Sequence, residues 1–249
     1  PRLSDRIRTN VFTMQHFLDD ARNGRLPSYS FIEPRMLVNH NDMHPPIKIG
    51  GQTQPSSTLA GDVLVNLVYD TVRTANSPTG SNALNTLLVI TFDEHGGCYD
   101  HVPPPAAVPP VASAPAGQMG FRFDRFGVRV PAILVSAYIE PGTVVSERLD
   151  HCSILKTMEK KWGLGHLTER DRAASDIGAA INRTTPRPAA DWPALAAARP
   201  AGAANLDRPL NKLQRDILGL AMAAAGDKHS AMNFTVSEAL RCLETLFPR

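Results

Sequence analysis

Apolar residues recur at helical spacing from residue 9 to about 23, with Val11, Met14, Phe17 and Leu18 on one face and Asn23-Gly24 as a stop. Ser28 to Ile32 is a short β-type run that ends in Glu33-Pro34. Ser57 or Asp62 suits the cap of a helix running to about Ala75, with a buried stripe of Val63, Leu64, Leu67, Val68 and Val72. After a polar surface loop from Ser77 to Asn85, Leu87 to Ile90 form an unbroken apolar run that reads as a buried parallel strand. The order strand, helix, strand predicts a right-handed crossover into a parallel sheet.

Beyond His101 the pattern stops, and Val102-Pro103-Pro104-Pro105 opens a Pro- and Ala-rich stretch that extends to Ala116. Proline forbids helix and central strand there, which predicts an ordered excursion or a lid. Ala132 to Val135 reads as a second buried strand. Asp150 is placed to cap a helix whose apolar face is Ile154, Leu155, Met158 and Trp162 and which Gly163 ends. From Arg183 the composition turns Ala/Pro-rich up to Ala204, which marks a linker. Two amphipathic helices follow, one carrying Leu210, Leu213, Ile217 and Leu220, the other opened by the capping box Thr235-Val236-Ser237-Glu238.

With 249 residues the chain can bury a substantial core. Its formal charge of +2, with no long Lys/Arg block, argues against a nucleic-acid partner. No apolar run reaches the roughly 18 residues of a membrane span. The residues from Pro1 to Arg6 lack the apolar core of a signal peptide. Cys98, Cys152 and Cys242 fit no metal-ligand spacing.

The chemistry gathers where the strand over Leu87–Ile90 breaks into Asp93-Glu94-His95-Gly96-Gly97. Ligands in open α/β sheets bind beyond the carboxyl ends of strands. Two acids and a histidine at such an end suit a divalent cation or acid/base work, and a solvated acidic turn is the plainer alternative. The loop from Asn39 to Pro46 holds His40, Asp42 and His44, either as incidental surface residues or with Asp42 or His44 reaching the same site. Arg129 is placed to hold an anionic substrate or to form a structural ion pair. His151, in the first turn of its helix, sits where exposed N–H groups favour anions and a neutral imidazole.

Asn41-Asp42-Met43-His44-Pro45-Pro46, Thr86 to Pro105, Gly127-Val128-Arg129-Val130-Pro131, Asp150-His151-Cys152-Ser153-Ile154-Leu155 and Leu167-Thr168-Glu169-Arg170-Asp171 follow one another along the chain. In that order they resemble the bacterial, fungal and plant phosphoesterase family, which includes phosphatidylcholine-hydrolysing and non-specific phospholipases C and related acid phosphatases. The resemblance covers about Leu26 to Ala174. It implies an α/β fold of alkaline-phosphatase type, a mostly parallel sheet flanked by helices.

The same resemblance implies metal-dependent hydrolysis of phosphate esters, above all phospholipase C action on a glycerophospholipid. Asp93 and Glu94 match the acidic pair that binds a divalent metal ion. His44 matches a histidine at the phosphate site, and His95 and His151 stand in motifs flanking the same pocket. The family also carries an upstream Glu-Asn pair and a Thr or Ser nucleophile, and the stretch before Leu26 has neither. The chain thus resembles the second half of such an enzyme: residues 1–182 form a partial phosphoesterase domain, and residues 183–249 a linker and helical appendage. Little hydrolysis is expected from this chain alone. A phosphomonoesterase, a sulfatase-like hydrolase and a non-catalytic fragment that binds phosphate or lipid headgroups are the rival readings. The expected partners are a phospholipid or phosphate-ester substrate, a membrane surface touched peripherally, and a partner chain or N-terminal half that covers exposed sheet edges. For a bacterial source the family implies a secreted or periplasmic location.

Overall fold

The computed structural model describes residues 3–36, 41–45, 47–49, 52–54, 57–113, 115–196, 207, 209–210, 212–227 and 233–246. His40, Pro46 and residues 197–206 of the expected linker lie outside the described residues. The chain forms two compact units, one of residues 1–82 and 193–249, the other of residues 83–192.

In the first unit, α1 (Leu3–Asn10) and α2 (Met14–Arg22) replace the single helix expected from residue 9. The break falls at Val11-Phe12-Thr13, where the Thr13 hydroxyl accepts from the His16 N–H at 3.4 Å and restarts the helix. Asn23 and Gly24, the latter at φ 69°, end α2 as the sequence indicates. Gly24 also lies against the loop after α3 (Thr58–Thr74): a Cβ on Gly80 would stand 1.8 Å from the Gly24 carbonyl oxygen. The Ser81 N–H donates to that oxygen, and the Leu26 N–H donates to the Ser81 hydroxyl.

α2 packs on α3. On α3 the buried set is Ala60, Gly61, Val68, Tyr69, Thr71 and Val72, whereas Val63 and Leu67 of the expected stripe are exposed. Val63 and Leu67 flank the polar stripe of Asp62, Asn66, Asp70 and Arg73, so they fall at the edge of the apolar face and not in its middle. Tyr69 Oη and Asn66 Nδ2 donate to the carbonyls of Pro193 and Ala196, which ties the returning chain to α3. Ser28–Ile32 forms no strand. Pro27 and Pro34 flank the run, which is too short to build a ladder between them. The crossover unit therefore lacks its first strand. Two short antiparallel strands, β1 (Ile47–Ile49) and β2 (Gln52–Gln54), pair instead.

The C-terminal helices α6 (Lys212–Ala224) and α7 (Val236–Leu246) close a core of Leu210, Leu218, Met222, Val236 and Ala239. Leu220, expected on the buried stripe, is exposed, because it lies about 200° around the helix from Leu218. The Thr235–Glu238 capping box forms with both of its reciprocal bonds.

The second unit holds β3 (Leu87–Thr91) and β4 (Ala132–Ser136), at the positions the sequence marks. They pair antiparallel, from Leu87 opposite Ser136 to Thr91 opposite Ala132, and not in a parallel ladder. Among the described residues between them there is no crossover α-helix, and a chain that returns without one meets its partner strand antiparallel. The pair is half-buried at most along β3, and Ile133 is exposed. The Pro-rich segment is an ordered excursion: Ala106 bridges Arg125, the Ala107 N–H donates to Asp124, and the Phe126 N–H donates to Pro105. Further on lie α4 (Cys152–Trp162), stopped by Gly163 at φ 64°, and α5 (Glu169–Ala173). The unit mixes helices with a small sheet, consistent with an α/β phosphoesterase domain.

Candidate active site

β3 delivers the chain into a tight turn. Asp93 Oδ1 accepts the Glu94 N–H at 2.9 Å, Glu94 Oε2 accepts the Gly96 N–H at 2.8 Å, and His95 Nδ1 accepts the Gly97 N–H at 3.0 Å. Gly96 and Gly97 both have positive φ, at 58° and 84°, a conformation that side chains with a Cβ resist. Each of the three polar side chains thus uses one acceptor to hold the turn. Asp93 Oδ2, Glu94 Oε1 and His95 Nε2 make no other hydrogen bond among the described residues. Both carboxylates are exposed, and the half-buried His95 ring rests against Tyr99 at 4.9 Å between centroids.

His151 joins this turn from the other side of the unit. Its Nε2 lies 2.8 Å from the Phe92 carbonyl oxygen, one residue before Asp93. A carbonyl only accepts, so Nε2 carries the proton and Nδ1 is the acceptor of the neutral ring. His151 itself occupies the N-cap of α4, and Asp150 does not cap that helix. The Asp150 carboxylate turns instead to Arg170, with Oδ2 3.7 Å from the guanidinium. Ser153 serves the helix start: its Oγ accepts the Asp150 N–H, and its own N–H donates to the Asp150 carbonyl.

The turn is anchored behind as well. Asp100 accepts the Val102 N–H at 2.8 Å and pairs with Arg129 Nε at 2.6 Å. Of these the Val102 bond contributes most, and with the Arg129 charge it holds the Asp100 carboxyl below the ordinary carboxylate range despite some desolvation. Arg129 takes the structural role of the two open to it. Burial, aided by the nearby Asp150 charge, raises the Cys152 thiol above its ordinary range.

His44 belongs to the other unit, where its Nδ1 lies 2.7 Å from the Pro45 carbonyl and its N–H donates to Asp42 Oδ1 at 3.3 Å. The second unit thus brings Asp93, Glu94, His95 and His151 together, while His44 is set in its own loop. For a divalent cation the two carboxylates are the right hard-oxygen donors, and two are fewer than such an ion takes. No group of three His, Cys, Asp or Glu side chains suited to a metal ion forms among the described residues. The sequence reading missed the meeting of Arg148 and Arg170 on Phe126, since residues 22 and more apart give no local signal of it.

The family model for the Phosphoesterase family matches residues 2–165. The chain is 35% identical over 262 residues to non-specific phospholipase C3 of Arabidopsis thaliana, covering 94% of this chain and 47% of that protein. It is 38% identical over 233 residues to non-specific phospholipase C6 of the same plant, covering 85% and 41%. Phospholipase C A of Mycobacterium tuberculosis is 31% identical over 199 residues, covering 73% and 35%. The chain therefore spans less than half the length of each of these three relatives. Motifs, match and identity agree, and the chain belongs to the Phosphoesterase family.

Proposed function

We propose that the protein is a metal-dependent hydrolase of phosphate esters, acting as a phospholipase C on glycerophospholipids. The observation that carries this reading is the strand-end turn with Asp93 and Glu94 outward and His151 fixed on the Phe92 carbonyl. The names of the relatives, all phospholipases C, favour the lipid diester over a monoester. In this reading residues 1–182 form the phosphoesterase part and 183–249 a linker with a helical appendage. The sheet is of alkaline-phosphatase type, in which the antiparallel β3–β4 pair is an edge of a mostly parallel sheet.

Asp93 and Glu94 would hold the divalent cation, which when bound supplies positive charge against the phosphoryl oxygens. The protein's own residues do the rest. His151 presents Nδ1 as an acceptor, or as a proton carrier for the leaving alkoxide, with its ring orientation set by the Phe92 carbonyl. His95, braced by the Gly97 N–H and Tyr99, keeps Nε2 for the substrate. His44 contributes to the phosphate site. None of these residues is assigned as the nucleophile.

The test is release of phosphocholine from phosphatidylcholine vesicles by the full-length gene product, with p-nitrophenyl phosphate and an aryl sulfate as comparison substrates. Chelation should abolish release and added divalent cation restore it. His151→Ala should lower the rate about 10²–10⁴-fold. Activity unchanged by Asp93→Ala would remove the metal assignment. Faster turnover of the monoester than of the lipid would replace the phospholipase by a phosphatase.

A further inference from the structure

Within the second unit a cavity of about 460 Å³ lies between the Pro-rich excursion and the start of α4. Its polar lining consists of Arg148, Arg170, Asp150, Ser153 and Ser175, gathered around the Phe126 ring. Both guanidiniums sit on that ring, Arg148 at 5.0 Å and Arg170 at 5.1 Å from its centroid, so they are at most about 10 Å apart. Like charges this close repel unless a counter-charge lies between them. Asp150 is the one carboxylate in the lining, and it faces Arg170 at 3.7 Å. Arg148 makes no ion pair among the described residues.

The cluster is also short of hydrogen-bond partners. Arg170 Nη2 donates to the Phe123 carbonyl at 2.5 Å, but its Nε is buried with no partner, and so is Asp150 Oδ1. Buried polar atoms without a partner are costly and rare. The Ser153 hydroxyl accepts from the Asp150 N–H, and its own hydrogen has no acceptor among the described residues. Two guanidiniums, two hydroxyls and one carboxylate lacking a donor together call for several acceptor oxygens and one proton. A phosphate monoester has that composition, and arginine forks match its geometry.

The geometry points to this cavity as a binding subsite for a phosphate monoester, separate from the acidic turn at Asp93 and Glu94. Arg148 is the charge that captures the ligand, Arg170 and Ser153 order it, and Asp150 Oδ1 accepts a hydrogen bond from the P–OH of its monoanion. A phospholipase C releases a monoester of this class, but the subsite is defined by binding without turnover and stands whether or not hydrolysis is found.

Inorganic phosphate, phosphocholine and short-chain phosphatidylcholine are titrated calorimetrically, in chelator so that the acidic turn holds no cation and takes no substrate, into the full-length protein, its Arg148→Gln and Arg148→Glu variants and, as a control for the acidic turn, its Asp93→Ala variant. The two monoester-type probes should bind, the lipid diester should bind at least tenfold more weakly, and both Arg148 variants should weaken phosphate at least tenfold. Arg148 is exposed, so the melting temperature of its variants should not change. With no cation at the acidic turn, Asp93→Ala should leave the phosphate affinity of this cavity unchanged. The subsite is overturned if phosphate fails to bind, if binding follows Asp93 and ignores Arg148, or if the diester binds as well as the monoesters.

Discussion

Asp171 is the buried charge whose removal has the most definite consequence. Its carboxylate is 1% exposed and accepts three hydrogen bonds: from the Leu167 N–H and the Thr168 N–H, each at 2.6 Å, and from the Thr168 hydroxyl. It is the far half of the capping box that starts α5. Burial pushes its pKa up, but the Thr168 hydroxyl and the Leu167 N–H outweigh burial and hold the carboxyl far below the ordinary range. Asp171→Asn keeps the shape and removes the charge, and its amide NH2 must face one of the three donors. Bonds to a charged group are worth about 1.5–3 kcal/mol each, and loss of a helix cap about 0.5–2 kcal/mol. The three bonds share one carboxylate and do not add, so the expected loss is roughly 2–4 kcal/mol at pH 7.

A depressed folded pKa contributes stability above the unfolded value of about 3.9 and loses it as pH falls toward the folded value. The gap between the parent protein and Asp171→Asn should therefore stay constant from about pH 5 to 8 and narrow only below about pH 4. Urea unfolding followed by tryptophan fluorescence reads it, since Trp162 and Trp192 both lie in the second unit. A gap under about 0.5 kcal/mol, within the range of ordinary surface substitutions, would refute the reasoning. A gap that narrows already between pH 6 and 8 would refute its electrostatic part.

Gly163→Ala should cost about 1 kcal/mol through its φ of 64° alone, because a Cβ there meets no atom within 4 Å. Gly80→Ala should cost clearly more, since its Cβ would overlap the Gly24 carbonyl, and the two melting temperatures measured side by side check the order. Leu218→Ala, in the core of α6 and α7, should lose about 2–5 kcal/mol. Hydrogen exchange should show that loss in residues 212–246, and unchanged exchange there would mean the helix pair does not depend on this core.

The readable parts of the fold were those set by neighbours in the chain. Gly163, the Asn23-Gly24 pair and the Thr235–Glu238 box act within one turn of helix, and each sits where the sequence places it. β3 and β4 were legible as apolar runs, but their direction was not. A branched run pairs equally well either way, and only the route of residues 92–131 decides. Asp150 shows the same limit at one residue. As a cap it is statistically favoured, yet Arg170, twenty positions on, claims its carboxylate and leaves the N-cap to His151. The exposed Val63 and Leu67 lie on α3 beside the polar stripe of Asp62, Asn66, Asp70 and Arg73, at the edge of the apolar face.

The site divides in the same way. Asp93-Glu94-His95 could be found because a strand end that turns acidic is a local event, and what fixes it is also local: three side chains bonded to N–H groups one or two residues ahead. These bonds settle which atoms remain for chemistry. A carboxylate that gives one oxygen to a backbone N–H is oriented before any ligand arrives, so less rotamer freedom is lost on binding. The His151–Phe92 link spans 59 residues and has no local trace, yet it fixes the imidazole on the carbonyl of the residue before Asp93. It also leaves Nδ1 and not Nε2 as the nitrogen that the proposed acid/base role would use. Loss of the Phe92 carbonyl's position, by strain in β3 or in the glycine pair, would disturb His151 without touching it. The turn and the histidine therefore act as one unit, whose geometry depends on β3 and on the two glycines as much as on the reactive side chains.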